Sequence, residues 1–273
     1  FTDMPFDEYI ALDAINFSTL KNVAKSPLHA RNILLHPMTP TPALMIGDAF
    51  HGLVLEPARF EAEYALGLDR PRRSKVDREA WENWESEHRT QNALKPAEWD
   101  LLHRMSESVY SHPLASELLG GAGSNEVSMV WEDPKTGALC KARADRISTL
   151  GDWSVIIDLK STRDDASRTG FQKAVANFRY HCQASWYLSG ADALSPRERR
   201  FLFIACEKSA PHGVAVHELD WAALDVGRRL NERWLEKWLR CVESGEWTGY
   251  EAGVITQSLP VWAQRELDEG EDY

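Results

Sequence analysis

The sequence predicts an α/β protein in which a mixed central sheet, flanked by helices, follows a helical N-terminal region. Three observations carry this prediction. Apolar residues recur at helical spacing between prolines up to residue 119, three strand-like runs lie between 126 and 160, and helical and strand-like segments alternate from 165 to 243.

The elements follow in order. Asn16 or Ser18 can cap a first helix in which Leu20, Val23 and Ala24 recur at helical spacing; Ser26-Pro27 interrupts it, and a second apolar helix runs to Leu35. Pro37, Pro40 and Pro42 mark a loop, after which Ala43 to Leu55 reads as a helix carrying Gly47, Asp48 and His51. The stretch Asp69 to Arg78 reads as a polar, basic loop, and residues 79–119 as helices broken at Pro96 and Pro113. Gly120-Gly121-Ala122-Gly123 is a joint leading into strands. Glu126 to Trp131 and Ala138 to Ile147 form a hairpin around Asp133-Pro134-Lys135-Thr136-Gly137, and Trp153 to Lys160 is the third strand. On the second strand Lys141, Arg143 and Asp145 share one face, while Cys140, Ala142 and Ala144 share the other. One long helix from about Asp165 to Ser189, strands over 201–206 and 214–219, and a helix over 221–243 complete the series. This order divides the chain into a helical region integral to the core (1–119), the core itself (120–265) and an acidic tail (266–273).

Composition narrows the function. At 273 residues, 43% apolar and 27% charged, the chain can bury a substantial core. A net charge of −11 argues against indiscriminate coating of nucleic acid and leaves room for a local basic groove. Basic clusters occur at Arg70, Arg72, Arg73, Lys75 and Arg78, and again at Arg197, Arg199 and Arg200. The four cysteines, Cys140, Cys182, Cys206 and Cys241, form no C-x-x-C pair, which argues against a zinc ribbon or iron–sulfur cluster and predicts reduced, buried thiols. No run approaches the roughly 20 apolar residues of a membrane span, and the opening residues do not read as a leader. The expectation is a cytosolic protein with no membrane partner.

The chemistry concentrates in Val155-Ile156-Ile157-Asp158-Leu159-Lys160. Strand alternation puts Asp158 and Lys160 on one face and buries Val155, Ile157 and Leu159 on the other. A charged pair in so apolar a strand needs partners or a metal. Asp145 lies 13 positions earlier, across a turn containing Gly151, so adjacent antiparallel strands bring the two carboxylates together. Two carboxylates and the Leu159 carbonyl make a partial oxygen shell for Mg²⁺, which would polarise a phosphate and acidify an attacking water. Lys160 would position or help deprotonate that water, or neutralise charge in the transition state. A structural salt bridge is the competing reading.

The set resembles the PD-(D/E)-x-K nuclease superfamily, and within it the RecB-like and λ exonuclease-like branch that includes RecE-type exodeoxyribonuclease VIII. Asp145, in Ala144-Asp145-Arg146-Ile147, matches the first metal acid, with Ala144 where the motif has proline. Asp158 and Lys160 match "D-x-K", and Ser161 and Thr162 continue it. Gln183 and Tyr187 match a "Q-x-x-x-Y" helix whose i,i+4 spacing gives them one face, bordering the active site. Gln183 would orient substrate or Lys160; helical packing alone is the competing reading of Tyr187. His51, four residues after Gly47, resembles a "G-x-x-x-H" helix that adds a metal ligand, and imidazole suits Mn²⁺ better than Mg²⁺. Glu56 and Glu126 are further acidic candidates. The likeness extends from about residue 13 through the hairpin at 130–143 to Ser258-Leu259-Pro260-Val261-Trp262-Ala263.

The resemblance implies a Mg²⁺-dependent 5′-to-3′ exodeoxyribonuclease, with Mn²⁺ substituting and no iron–sulfur cluster. It would act on double-stranded DNA ends and leave 3′ overhangs for recombination by strand annealing. A ring-shaped homo-oligomer, tetramer or trimer, and a RecT-like annealing protein are the implied partners of a cytoplasmic enzyme encoded by a bacterium or phage. Lys141, Arg143, Arg146 and Arg163, with Ser161 and Thr162, are the implied DNA contacts, and Ser18 and Lys21 would meet a terminal phosphate. The alternatives are a RecB-like endonuclease or structure-specific nuclease, and a non-catalytic DNA-binding module.

Overall fold

The computed structural model describes residues 4–36, 39, 41–163 and 165–259. Five helices come first: α1 (Phe6–Ala11), α2 (Phe17–Val23), α3 (Pro27–Leu35), α4 (Pro42–Leu55) and α5 (Pro57–Glu63). A mixed stretch follows, of β1 (Tyr64–Leu66), α6 (Lys75–Glu87), β2 (Asn92–Leu94), α7 (Pro96–Ser111) and α8 (Pro113–Gly120). The rest comprises β3 (Gly123–Glu132), β4 (Leu139–Leu150), β5 (Trp153–Thr162), α9 (Arg168–Phe178), α10 (Tyr180–Leu194), β6 (Arg199–Glu207), β7 (Val214–Glu218) and α11 (Trp221–Ser244).

Strands β3 to β7 form one sheet in chain order. Neighbours pair antiparallel except β5 and β6, which run parallel because α9 and α10 carry the chain across between them. β5 is therefore central, and its apolar run is what a strand covered on both faces requires. Val155, Ile157 and Leu159 bury against Phe50 and Val54 of α4, Leu102 and Met105 of α7 and Leu118 of α8. On the opposite face Ile156 joins Cys140, Ala142 and Ala144 of β4 under α2, α10 and α11. All four cysteines are buried and free. Among the described residues no helix is long and apolar enough to cross a membrane.

Asn16, rather than Ser18, caps α2 by accepting the Thr19 N–H at 2.8 Å. Several expectations need correction. Helix α6 begins at Lys75, inside the expected basic loop, because Ser74 and Asp77 close a capping box there. Arg72 then folds over Trp81 and pairs with Glu85, which fixes part of the basic cluster against α6. The expected helical stretch 79–119 also holds β2, which pairs in parallel with β1. The single helix expected over 165–189 is two helices, broken where Arg179 adopts a left-handed φ of 63°. Pro37 and Pro40, most of the 258–263 segment and the acidic tail lie outside the described residues.

Candidate active site

Regular pairing of β4 with β5 ends at Arg146 opposite Ile157. Beyond that point the Asp145 carboxylate, not a backbone carbonyl, takes the next N–H: Leu159 donates to Asp145 Oδ2 at 2.8 Å. This replaced rung puts Asp145 beside Asp158, and Lys160 reaches back so that its Nζ lies 2.5 Å from Asp158 Oδ2. Helix α4 supplies His51, whose Nδ1 is 3.4 Å from Asp145 Oδ2. Helix α10 supplies Gln183, whose Nε2 donates to Asp158 Oδ1 at 2.7 Å. Close packing sets the height of α10, since a Cβ on Gly190 would fall 2.6 Å from the Trp131 ring. Tyr187, one turn beyond Gln183, lies edge-on to Phe201 and lines the same cavity of about 590 Å³.

The electrostatics follow from burial beside two acids. Burial pushes the Asp145 carboxyl up to about 7, and the neighbouring Asp158 charge adds to the effect. Burial alone would lower the Lys160 ammonium; Asp158 and Asp145 outweigh it and hold the pKa above its ordinary value, so Lys160 is a fixed cation. Burial, helped by the Lys160 charge, lowers His51 and favours the neutral imidazole that binds metals. Burial and the two carboxylates raise Tyr187 well above the ordinary phenol, so its proton stays on.

The donor set fits a divalent cation. Asp158 Oδ2 is buried, and among the described residues Lys160 is its close counter-charge. Two neighbouring carboxylates and a neutral imidazole are ligands that Mg²⁺ or Mn²⁺ accepts. Among the described residues no three His, Cys, Asp or Glu side chains are grouped closely enough to hold a metal by themselves, so the shell would need oxygens from elsewhere.

The remaining expected contacts divide sharply. Ser18 and Lys21 line the wall of the cavity formed by α2. Ser161, Thr162 and Arg163 line a second cavity beyond Lys160. Arg143 borders the first cavity but is held by Glu126 Oε2 at 2.8 Å, Ser128 Oγ at 2.7 Å and the Met4 carbonyl at 2.9 Å. Glu56 pairs with Arg59 at 3.5 Å and lines neither cavity. Two cations are spent elsewhere. Lys141 Nζ donates to the carbonyls of Tyr9 (2.8 Å), Ile10 (3.1 Å) and Leu12 (2.7 Å), capping the C-terminal end of α1. Arg146 points away from the cleft and donates to Leu118 O (3.2 Å), Gly121 O (2.5 Å) and Asn125 Oδ1 (2.6 Å). Helix C-termini leave carbonyls without partners, and a cation satisfies them in both charge and hydrogen bonding.

Sequence reasoning missed Tyr180, whose ring lies 5.0 Å from Lys160 Nζ, and Asp48, which borders both cavities and is held by Arg59 and Tyr64. Tyr180, Gln183 and Tyr187 recur at three- and four-residue steps, a helical face that could have revealed Tyr180.

A mixed sheet with two acids and a lysine at the β4–β5 fork defines a member of the PD-(D/E)-x-K nuclease superfamily. Over residues 16–256 the chain matches, and belongs to, the family described as PDDEXK-like domain of unknown function, DUF3799. It is similar along its length to the crystal structure of a presumptive exonuclease from Eubacterium rectale, with 14% identity, 98% of each chain covered and a TM-score of 0.64, a likeness of fold. SSO0001 (20% identity, 69% of this chain and 85% of that one, TM-score 0.30) and VC1899 from Vibrio cholerae (8%, 84% and 55%, TM-score 0.23) align too loosely to add to it. No curated protein matches the chain.

Proposed function

We propose that the protein is a divalent-metal-dependent exodeoxyribonuclease that degrades the 5′ strand of double-stranded DNA ends and leaves 3′ overhangs for strand annealing. One observation carries the proposal: His51, Asp145, Asp158, Lys160 and Gln183, from four separate elements, converge on one fork. The family membership and the presumptive exonuclease of similar fold point the same way.

Asp145, Asp158 and His51, with the Leu159 carbonyl, would hold the metal, Mg²⁺ or Mn²⁺. When bound, it would polarise the scissile phosphate and make an attacking water more acidic. Lys160, kept protonated by its acidic neighbours, stabilises charge developing on the phosphate oxygens and is not the base. Gln183 is a positioning residue, since its amide fixes the Asp158 carboxylate while Tyr187 borders the cavity as a neutral phenol. Lys21 and Ser18, across the cavity, suit a phosphate of the same strand. A ring-shaped homo-oligomer and a single-strand annealing partner of the RecT kind belong to the same proposal; sedimentation and pull-down with such a protein test them.

Digestion of end-labelled linear and circular duplex DNA with Mg²⁺ or Mn²⁺ tests the activity. Nucleotide release from the 5′ strand of linear DNA alone is the expected result. Cutting of circular DNA would instead support an endonuclease, a reading favoured by the continuation of the cleft past Lys160 on both sides. Binding without cleavage would overturn both.

A further inference from the structure

The cavity over the carboxylates does not end at Lys160. It shares Asp48, His51, Lys160, Phe178 and Tyr180 with the second cavity, of about 820 Å³, so the two form one trough past the acids. Phe178 belongs to both and is 50% exposed. The helix break explains its placement. With Arg179 in the left-handed region, Phe178 ends α9 and Tyr180 begins α10, and their rings stack at 5.6 Å with 28° between planes. Tyr180 in turn stacks on Phe203 at 5.5 Å and carries the Lys160 ammonium over its ring. An aromatic column thus rises from the core past the lysine and ends on a ring open to the trough. Arg163 and Lys208 line the trough on one side of it and Lys21 on the other.

An exposed ring between cations is the chemistry of a single-strand track: rings take bases, cations take the backbone. We infer that Phe178 stacks on an unpaired nucleobase adjoining the phosphate at Asp158 and Lys160, so the substrate strand is single-stranded where it crosses the site. This rests on the proposed nuclease function and adds to it a local strand-opening requirement. A base inside a duplex is stacked on both faces, and a terminal pair offers its free face only along the helix axis and not beside its own phosphate, so a duplex end must fray before it is cut. Loss of one base–aromatic stack corresponds to roughly 5- to 150-fold in affinity.

The test uses a single-stranded deoxyoligonucleotide carrying 2-aminopurine and the full chain bearing Asp158→Asn, which binds without cutting. Saturable binding with quenched fluorescence is expected; adding Phe178→Ala should weaken it within that range and abolish the quench, while Phe178→Trp retains both. In the cutting-competent chain, Phe178→Ala should raise KM more than it lowers kcat. It should also impair blunt duplex more than duplex with a pre-frayed end. Phe178→Leu keeps apolar bulk without a ring, so a Leu variant indistinguishable from wild type overturns the inference. So does unchanged quenching in the Ala variant. A wild-type chain that binds and quenches but cuts no DNA defeats the nuclease reading instead, and one that cuts normally with or without Phe178 defeats only the stacking.

Discussion

Replacing Asp158 with asparagine separates the charge of that residue from its shape. The amide oxygen of Asn can still accept from Gln183 Nε2, now 2.7 Å from Asp158 Oδ1. Lys160 keeps the Asp145 carboxylate in its field. The packing of β5 between two apolar layers is untouched. Asn turns its amide nitrogen toward Lys160 and so loses that ion pair, while relief of the repulsion between Asp158 and Asp145 offsets part of the cost; the net stability loss should stay below about 3 kcal/mol. Activity should respond quite differently. A neutral amide gives a divalent cation no charge neutralisation, and charge stabilisation by a metal is worth several kcal/mol in the transition state. At about 1.4 kcal/mol per tenfold in rate, loss of 3 to 4 kcal/mol lowers turnover by roughly 10²- to 10³-fold. The assay is the initial rate of nucleotide release from end-labelled linear duplex, run beside urea unfolding followed by tryptophan fluorescence. A rate within tenfold of the unsubstituted chain would refute the catalytic assignment. A stability loss above about 3 kcal/mol would refute it differently, by making Asp158 a residue of the fold.

Three further outcomes are expected. Mn²⁺ or Mg²⁺ at a hundred times its dissociation constant should stabilise the protein by about 2.7 kcal/mol, read as a higher unfolding midpoint. Asp158→Asn should lose most of that gain, and a wild-type midpoint insensitive to either ion would contradict metal binding at this site. Arg146→Met should destabilise by about 2 to 3 kcal/mol, because the carbonyls of Leu118 and Gly121 lose a buried donor, while the rate per folded molecule holds. Weakened DNA binding with intact stability would reverse that assignment. Burial lowers the pKa of His217, which stacks on Phe171 at 4.2 Å, so the folded state favours neutral imidazole. Below the unfolded value of about 6.5 the unfolded chain binds the extra proton, so this contribution is fully present above that pH and is lost as pH falls from there through the lower folded value. Urea midpoints between pH 7 and 5 should fall less in His217→Gln than in wild type, and equal slopes would exclude His217 as a source.

The strands were legible because their periodicity is local. Alternation separated Lys141, Arg143 and Asp145 from Cys140, Ala142 and Ala144, and the structure packs the latter three into one core cluster. The Gly151 turn and the apolar run of β5 likewise announced an antiparallel neighbour for Asp158. Arg146 was misread although the same alternation places it on the face opposite Asp145, where the structure finds it beside Ile157. Proximity in sequence to Asp145 outweighed direction. The break at Arg179 carried no glycine or proline to mark it, and the phenylalanine it exposes read as an ordinary residue of one long helix.

The sequence by itself determined the chemical inventory: two acids, a lysine, a histidine and a glutamine at strand and helix spacings that give each a defined face. Those facts depend on neighbours a few residues away, which backbone periodicity governs. Tertiary structure alone decided which charges remain available. Lys141 and Arg146 became caps for α1 and α8 because packing brought unpartnered helix carbonyls to them from more than 20 residues away in sequence. Lys160 stayed in the cleft because its nearest partners are the two carboxylates, and burying those two beside each other calls for a cation.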